Sequence, residues 1–364
     1  MKIAIFHDYI GMIGGGEKLV LTLAKELNAD VITTDINKDS IRKMEFDQKN
    51  IISLGETIKL PILKQISASI KFVLCDFSDK YDFFIFSGNW AHFASKRHKP
   101  NLYYCHTPVR AFYDQYANML ARLKFPKKQI AQLWVGIHKI FHQHYIQFVD
   151  KIAVNSKYTQ NRVKEYYKKD SVVIYPPINT SRFRCRSYGD FWLSVNRLYP
   201  EKRIELQIEA FRSLPKEKLI IVGGYSKGDH ASADVDEIQY NKPDNVDLLF
   251  EITEKELIDL YAKCKGFITT SMNEDFGMAP VEAMASGKTV ICVGEGGYLE
   301  SVIDGVTGVY VKPDVADIIR AINSISNNPE KYKDACERQA KKFDKSIFIK
   351  SMKNMCRITK KKGK

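Results

Sequence analysis

The chain has 364 residues, 45% of them hydrophobic, which is enough to bury two cores of roughly 150–180 residues each. Its 56 lysine and arginine residues outnumber 43 acidic residues, and the formal charge of +13 favours polyanionic partners such as nucleic acid, anionic lipid or phosphorylated small molecules. No apolar run approaches the roughly 18–20 residues that cross a bilayer. The seven cysteines lack a CxxC pair and metal-ligand spacing, which indicates reduced thiols. We therefore expect a cytoplasmic protein of two domains without a membrane-spanning helix.

The first predicted strand, Lys2–His7, is followed by a glycine-rich turn and by a helical pattern over Leu19–Leu27. The turn does not fit the P-loop motif GxxxxGK[ST], because Leu19 follows Lys18 where the motif has serine or threonine. It does not fit the dinucleotide-binding motif GxGxxG either, because the third glycine is missing. Successive glycines before a helix N-terminus still let a ligand approach the backbone closely, with a simple tight turn as the alternative. These glycines are Gly14, Gly15 and Gly16.

Short apolar segments alternate with helical patterns through the rest of the first half. The predicted strands are Asp30–Thr34, Phe83–Ser87, Leu102–His106, Lys151–Asn155 and Val172–Tyr175. This alternation is typical of a doubly wound parallel sheet, in which ligands bind beyond the carboxyl ends of the strands. Two polar stretches fall there, at 87–90 and 105–110. The second contains His106, although a lone histidine after a strand is more often structural.

Residues 119–150 are aromatic, basic and amphipathic. Apolar side chains recur there at helical spacing: Trp134, Ile137, Ile140, Phe141 and Tyr145. One interpretation, slightly favoured, is a helix packed on the core with a solvated basic face. The other is a helix docked on an anionic membrane surface. The three histidines of this segment match no zinc motif, so we predict no metal site.

A polar, irregular segment over 175–189 predicts the domain boundary. The next strand, Phe191–Val195, leads into a loop that contains Arg197 and Lys202. Cations fixed at a strand end can stabilise the charge that builds on a departing phosphate without a metal. Further strands are predicted at 219–222 and 245–253. Residues 234–236 have the DxD pattern of a metal clamp, but no strand precedes them, and we interpret them as a solvated loop.

A buried strand at 266–270 leads through a short loop into a helix that contains Pro280 and ends at Gly287. The backbone amides of three residues would lie at the N-terminus of this helix, where an anion can bind: Phe276, Gly277 and Met278.

Two carboxylates, Glu274 and Glu282, frame this anion site. A simple anion would not favour two neighbouring carboxylates. A ligand with phosphates in its middle and diols at both ends would, because carboxylates accept hydrogen bonds from vicinal hydroxyl groups. A nucleoside diphosphate sugar has this layout. The alternative for either glutamate alone is a solvated side chain.

The segment EDFGMAPVEAMASGKTVI, with its E-x7-E spacing, and the downstream GGYLESVIDGVTG resemble the signature blocks of retaining glycosyltransferase family 4. The resemblance implies the α/β GT-B fold, with two Rossmann-like doubly wound domains facing a central cleft. It implies an acceptor-binding domain at 1–176, a nucleotide-sugar domain at 190–335, and a C-terminal helix with a basic tail at 336–364 that crosses back to the first domain.

The resemblance also implies roles for individual residues. Arg197 and Lys202 are similar to the cations that hold the donor diphosphate. The two glutamates match the family's acids, with Glu282 on the ribose diol and Glu274 on the sugar hydroxyls. The remaining implied contacts are His106 with the donor sugar, the turn of Gly15 and Gly16 with the diphosphate and acceptor, and the backbone near Ile252 with the base.

The stretch HTPVRAFYD resembles mannosyltransferases of bacterial and archaeal surface polysaccharides. We therefore expect transfer of mannose from GDP-mannose, with no metal or other cofactor, to a glycan or lipid-linked glycan. Contact with an anionic membrane would place the enzyme on the inner face of the plasma membrane. The alternatives are a UDP-sugar donor (glucose, galactose or N-acetylglucosamine) and a GT-B epimerase or hydrolysing enzyme. A nucleic-acid-binding protein is the least favoured, because no RNP or helix-turn-helix signature accompanies the charge.

Overall fold

The structure is a computed structural model that describes residues 1–11, 14–224, 239–250 and 252–362. The chain divides into two compact units. One comprises Met1–Tyr175 together with Phe348–Lys364, and the other comprises Pro176–Ile347.

The first unit contains a seven-stranded parallel sheet in the order β3-β2-β1-β4-β5-β6-β7. Its strands are β1 Ile3–His7, β2 Asp30–Thr33, β3 Ile51–Ser53, β4 Phe83–Ser87, β5 Asn101–Cys105, β6 Lys151–Val154 and β7 Val172–Val173. Every residue of β1, β4 and β5 is buried, because helices cover both faces of a parallel sheet. The strand order reverses beside β1, where His7 is in register with Ser87 at the carboxyl ends.

Helices cover the two faces of this sheet: α1 Gly15–Leu27, α2 Lys38–Lys43, α3 Leu63–Leu74, α4 Tyr116–Ala121, α5 Lys127–Ile146 and α6 Lys157–Tyr167. The helices α3, α5 and α6 contribute to one hydrophobic cluster, which includes Phe72, Val135 and Val163. The helix α1 contributes Leu19 and Val20 to the other.

The second unit repeats this arrangement with a six-stranded parallel sheet in the order β10-β9-β8-β11-β12-β13. Its strands are β8 Phe191–Arg197, β9 Lys218–Gly224, β10 Val246–Phe250, β11 Gly266–Thr269, β12 Val290–Val293 and β13 Gly308–Val311. Its described α-helices of four or more residues are α7 Ile204–Arg212, α8 Glu254–Lys263, α9 Met278–Ala285, α10 Tyr298–Ser301, α11 Val315–Ser326 and α12 Lys333–Lys341. Both sheets thus have the doubly wound order that the alternating pattern predicted.

The last helix, α13 Lys345–Lys362, belongs mainly to the first unit. Its buried residues Phe348, Ile349, Met352 and Cys356 join the cluster around Leu19 and Val20. The single helix expected over 336–364 is instead α12 and α13. Asp344 separates them, because its carboxylate accepts from the amide of Ser346 at 2.9 Å and begins the new helix.

Candidate functional site

The candidate site of the second unit lies at the carboxyl ends of β8 and β11, between which the strand order reverses. Open α/β sheets bind their ligands at this position. Arg197 is the last residue of β8, and its side chain is exposed. Lys202 follows in the short 3-10 turn Pro200–Lys202, and Glu274 lies in the loop between β11 and α9.

The structure brings Lys202 and Glu274 together, with the Lys202 Nζ atom 2.5 Å from the Glu274 Oε2 atom. The two side chains are 19% and 23% exposed, so this ion pair is largely shielded yet reachable from solvent. Backbone contacts hold the two loops in place. The hydroxyl of Thr270 donates to the carbonyl of Lys202 at 2.8 Å, and the amide of Met272 donates to the carbonyl of Glu201 at 2.7 Å.

A glycine pair at the start of α10 shapes the Glu274 loop. A Cβ atom on Gly296 would lie 2.4 Å from the backbone oxygen of Glu274, and one on Gly297 would lie 2.5 Å from that of Asp275. The amide of Gly297 donates to the carbonyl of Glu274 at 2.7 Å. The close approach therefore requires glycine at both positions. The GGYLES segment thus holds the backbone of the loop that carries Glu274, the first glutamate of the E-x7-E motif.

The helix α9 begins at Met278, with Gly277 as its N-cap at φ +81°. The amides of Gly277 and Met278 thus lie at the helix N-terminus, on the side of the Glu274 loop. The side chain of Phe276 is 2% exposed and packs on Phe343, with ring centroids 5.3 Å apart. Phe276 therefore anchors the loop through its side chain.

The second glutamate, Glu282, lies on α9 and is half-buried. Its Oε2 atom accepts a hydrogen bond from the Tyr261 hydroxyl at 2.9 Å. Burial, followed by the charge of Glu282, raises the pKa of Tyr261 well above its ordinary value, so the phenol keeps its proton and acts as donor. Sequence reasoning missed Tyr261, which lies 21 residues upstream on α8, because no local pattern connects the two positions.

A second ion pair, between Arg203 and Glu295, was also missed. The Arg203 Nη1 atom is 3.0 Å from the Glu295 Oε1 atom, and the other carboxylate oxygen accepts from the amide of Asn273 at 3.1 Å. Glu295 follows β12, a strand that the sequence analysis did not identify. Position after a strand end was the one signal that could have singled it out.

In the first unit, His106 follows β5, and its Nε2 atom is 2.8 Å from the Ser87 hydroxyl. Burial, with a smaller contribution from His7, lowers the pKa of His106 to about 3, so the imidazole is neutral at physiological pH. A Cβ atom on Gly16 would lie 3.9 Å from the His106 Cε1 atom, which places the glycine turn beside this histidine. Gly15 and Gly16 form the first turn of α1.

Asp8 organises the backbone beside His106. Its buried carboxylate accepts from the amides of Asn89, Trp90 and Ala91 at 2.5, 2.8 and 2.8 Å. Gly88 precedes them at φ +103°, and a Cβ atom there would lie 2.5 Å from the Asp8 Cγ atom. The polar stretch after β4 is therefore fixed by one carboxylate and one obligatory glycine.

The segment HTPVRAFYD forms an ionic network after β5. Arg110 Nη2 and Arg162 Nη2 contact the two oxygens of Asp114 at 2.8 and 2.7 Å. Arg162 also donates to the Thr107 hydroxyl at 2.5 Å and is 4% exposed. In this structure Arg110 and Asp114 therefore shape the loop that follows His106.

The predicted site residues thus fall into two groups. His106 and the glycines lie at the carboxyl edge of the first sheet. The other group lies in the second unit, where Lys202 contacts Glu274, Glu282 contacts Tyr261, and Ile252 follows the edge strand β10, two strands from β8.

No group of three or more histidine, cysteine or carboxylate side chains that could hold a metal occurs among the described residues. The DxD triplet at 234–236 and Glu251 lie outside the described residues. In the described parts of the chain, no helix combines the length and the apolar character needed to cross a bilayer.

Comparison with known proteins identifies two consecutive family matches. Residues 13–182 match "Glycosyltransferase Family 4", and residues 186–343 match "Glycosyl transferases group 1". Among curated relatives, the alpha-1,3/1,6-mannosyltransferase ALG2 of Dictyostelium discoideum is 26% identical and the match covers 90% of each chain. An uncharacterized glycosyltransferase of Methanocaldococcus jannaschii is 31% identical over 54% of this chain and 55% of its own.

Solved structures share the fold over nearly the whole chain. Sucrose-phosphate synthase from Thermosynechococcus elongatus matches with a TM-score of 0.79 at 19% identity and 98% coverage of both chains. Anabaena HepE, in complex with UDP and glucose, matches with a TM-score of 0.74 at 18% identity, covering 98% of this chain and 99% of its own. The two family matches, the doubly wound sheets and the E-x7-E loop lead to one conclusion: this chain belongs to glycosyltransferase family 4, has the GT-B fold, and is a hexosyl-transferring enzyme.

Proposed function

We propose that the enzyme transfers mannose from GDP-mannose to a glycan or lipid-linked glycan acceptor, with retention of configuration and without a metal. The choice of mannose rests on the relatives named as mannosyltransferases and on the HTPVRAFYD segment. The lipid-linked acceptor would bring the enzyme to the cytoplasmic face of a membrane.

The observation that carries this proposal is the Lys202–Glu274 ion pair at the switch point of the second sheet. A cation and a carboxylate in contact fit the part of a nucleotide-sugar donor where the diphosphate is bonded to the sugar, because the cation can bind the phosphate and the carboxylate can bind the sugar hydroxyls. We assign Lys202 and Arg197 to the diphosphate and Glu274 to the sugar hydroxyls. The amides of Gly277 and Met278 at the N-terminus of α9 would add partial positive charge on the same ligand.

The proposed chemistry follows from these positions. The bond between the sugar C1 and the β-phosphate oxygen breaks, the acceptor oxygen bonds to C1 on the same face, and the acceptor proton passes to the departing phosphate. Lys202 and Arg197 stabilise the negative charge that develops on the β-phosphate. His106 is neutral and hydrogen-bonded to Ser87, so we assign it to orienting a sugar hydroxyl rather than to acting as a cation or general base.

The donor assignment is tested by a calorimetric panel of GDP, GDP-mannose, UDP, UDP-glucose and UDP-N-acetylglucosamine. We expect the guanosine ligands to bind at least about tenfold more tightly than the uridine ligands. Equal or tighter binding of the uridine series would contradict the GDP-mannose assignment. Release of free sugar from donor alone as the main reaction would indicate the hydrolysing alternative.

We expect the Tyr261→Phe substitution to weaken binding of the preferred nucleoside diphosphate roughly threefold to tenfold, because Glu282 loses the hydrogen bond that orients its carboxylate. Turnover at saturating donor should change little, since Tyr261 is a positioning residue. The measurement is titration calorimetry with parallel steady-state kinetics.

The matched control is Tyr310→Phe, which removes a phenol hydrogen bond to the carbonyl of Val302 elsewhere in the same unit. A double-mutant cycle with Glu282→Gln separates a positioning effect from a general loss of stability, because only directly coupled residues give non-additive affinities. Additive losses in this cycle would exclude Tyr261 as the residue that orients Glu282.

A further inference from the structure

The helix α5 has an exposed apolar stripe in addition to the stripe that it buries in the core, whereas a surface helix ordinarily has only the buried one. The buried stripe consists of Ala131, Val135, His138, His142 and Ile146. A second stripe is 50–70% exposed and consists of Ile130, Leu133, Ile137, Ile140 and Phe141. At about 100° per residue, the centres of the two stripes lie roughly 150° apart around the helix. The second stripe therefore faces away from the core of the first unit.

The neighbouring helix α3 has the same character. Leu63, Ile70 and Leu74 are exposed on its outer side. The two helices are adjacent, because the Ser69 hydroxyl of α3 lies 3.1 Å from the His138 Nε2 atom of α5. Both bury their inner sides in the same hydrophobic cluster, so their outer sides face solvent from the same side of the sheet. We call these eight exposed side chains of α3 and α5 the outer apolar face.

The two chain segments that form the outer apolar face contain charges of a single sign, although Lys59 of the first segment is paired with Asp35 from outside it. Residues 57–75 and 115–149, which include both helices, contain eight lysine and arginine residues and no aspartate or glutamate. These two segments therefore carry +8 of the formal charge of +13. Before α5, Phe125 is 82% exposed, and four exposed cations surround it in the sequence: Arg122, Lys124, Lys127 and Lys128.

We propose that the outer apolar face docks on an anionic lipid bilayer, with its apolar side chains in the interfacial region and its cations against lipid phosphates. Apolar area and cationic charge together are what interfacial helices use to bind such surfaces. A second copy of the chain fits poorly. If two copies associated through this face, the +8 formal charge of these segments in one copy would repel the same charge in the other. The inference rests on the proposed function in one respect: a lipid-linked acceptor would lie in the membrane on which the enzyme docks.

The test is flotation of the full-length protein with phosphatidylcholine vesicles, with and without phosphatidylglycerol, at low and high salt. We expect binding to the phosphatidylglycerol vesicles that weakens with salt. The double substitution Ile137→Glu with Phe141→Glu should weaken it at least about tenfold, and Lys127→Glu with Lys128→Glu should do the same. Val306→Glu, at a comparably exposed apolar residue of the second unit, is the control and should bind as wild type does.

Melting temperature and calorimetric nucleotide affinity are measured on every variant and should stay unchanged, because the substituted side chains are exposed. These two readouts separate failure of the docking proposal from failure of the proposed function. Wild-type protein that stays unbound, or binding that survives both double substitutions, overturns the inference. A shift from dimer to monomer in Ile137→Glu with Phe141→Glu, measured by sedimentation, would show instead that the face joins two copies.

Discussion

Replacement of Lys202 by alanine is expected to lower turnover about 10²–10³-fold, the effect of removing one preorganised group that stabilises developing charge. In this structure Lys202 is paired with Glu274 at 2.5 Å, so the substitution removes the proposed phosphate ligand and leaves the carboxylate without this cation. Both effects raise the barrier, because an uncompensated acid beside a diphosphate repels the charge that the transition state builds. The measurement is steady-state transfer with saturating donor.

The matched control for this prediction is Lys263→Ala. Lys263 also forms a lysine–carboxylate pair in the second unit, with Asp259 at 2.6 Å, but both side chains are substantially exposed. Its loss should leave turnover within a factor of about two, since exposed pairs contribute little. Turnover of Lys202→Ala close to that of Lys263→Ala would remove Lys202 from the diphosphate site. A Lys202→Arg variant should retain more activity than the alanine variant, because it keeps the charge.

Acidification from pH 7 to pH 5 is expected to destabilise the first unit strongly, by on the order of 4–6 kcal/mol in the free energy of unfolding. Three histidines are buried together there, with the rings of His92 and His142 centred 4.3 Å apart. Burial lowers the pKa of His92 to about 3 and that of His138 to about 4, and it lowers the pKa of His142 well below its ordinary value. In the folded unit His92 and His138 are therefore neutral at pH 5, and burial opposes protonation of His142 in the same way.

The sign follows from proton binding. In the unfolded chain a histidine has a pKa of about 6.5, so below this pH it binds a proton that the buried histidine does not bind. The free energy of unfolding is therefore highest above about pH 6.5 and decreases as the pH falls towards the pKa values of the folded state. His92 and His138 each contribute about 2 kcal/mol at pH 5 by this linkage, and His142 acts in the same direction. Asp8 opposes the trend, because burial raises its pKa and its protonation favours the folded state. His106 adds to it, because burial also lowers its pKa.

The geometry of His138 shows what protonation would break. Its Nδ1 atom accepts from the Trp134 indole at 3.3 Å, and its Nε2 atom lies 3.1 Å from the Ser69 hydroxyl. A proton on Nδ1 would end the bond from Trp134 and place a charge among aromatic rings. Urea unfolding at several pH values measures the effect. A His142→Leu variant should flatten the pH dependence by about one proton, whereas the exposed His144→Gln control should not. Equal stability of the first unit at pH 5 and pH 7 would contradict this account.

Much of the fold could be predicted from local pattern. Strands such as Phe83–Ser87 are continuous apolar runs because both faces of the sheet are covered, and the alternation with helices indicates the doubly wound order. The edge strand Ile51–Ser53 was missed because it has three residues and is mostly exposed, so no periodicity marks it. The prediction for β8 ended two residues early, and the structure continues the strand through Arg197.

The site was predicted less completely, because its contacts join distant segments. The positions of Glu274 and Lys202 followed from strand ends, but their direct pairing depends on two loops 72 residues apart. No local sequence pattern indicates the hydrogen bond from Tyr261 to Glu282 or the ion pair between Arg203 and Glu295 either. On α5, the favoured core-packed interpretation was wrong for Ile137, Ile140 and Phe141, which are exposed. Helical spacing identifies an apolar stripe without saying what covers it.

The central claim, that the second unit holds a nucleoside diphosphate sugar at the carboxyl ends of β8 and β11, is tested most directly by a crystal structure with GDP-mannose. We expect the diphosphate within hydrogen-bond distance of Lys202, Arg197 and the Met278 amide, the ribose diol on Glu282 and the mannose hydroxyls on Glu274. A donor bound with its diphosphate away from Lys202 and Arg197, or with its ribose away from Glu282, would contradict the account.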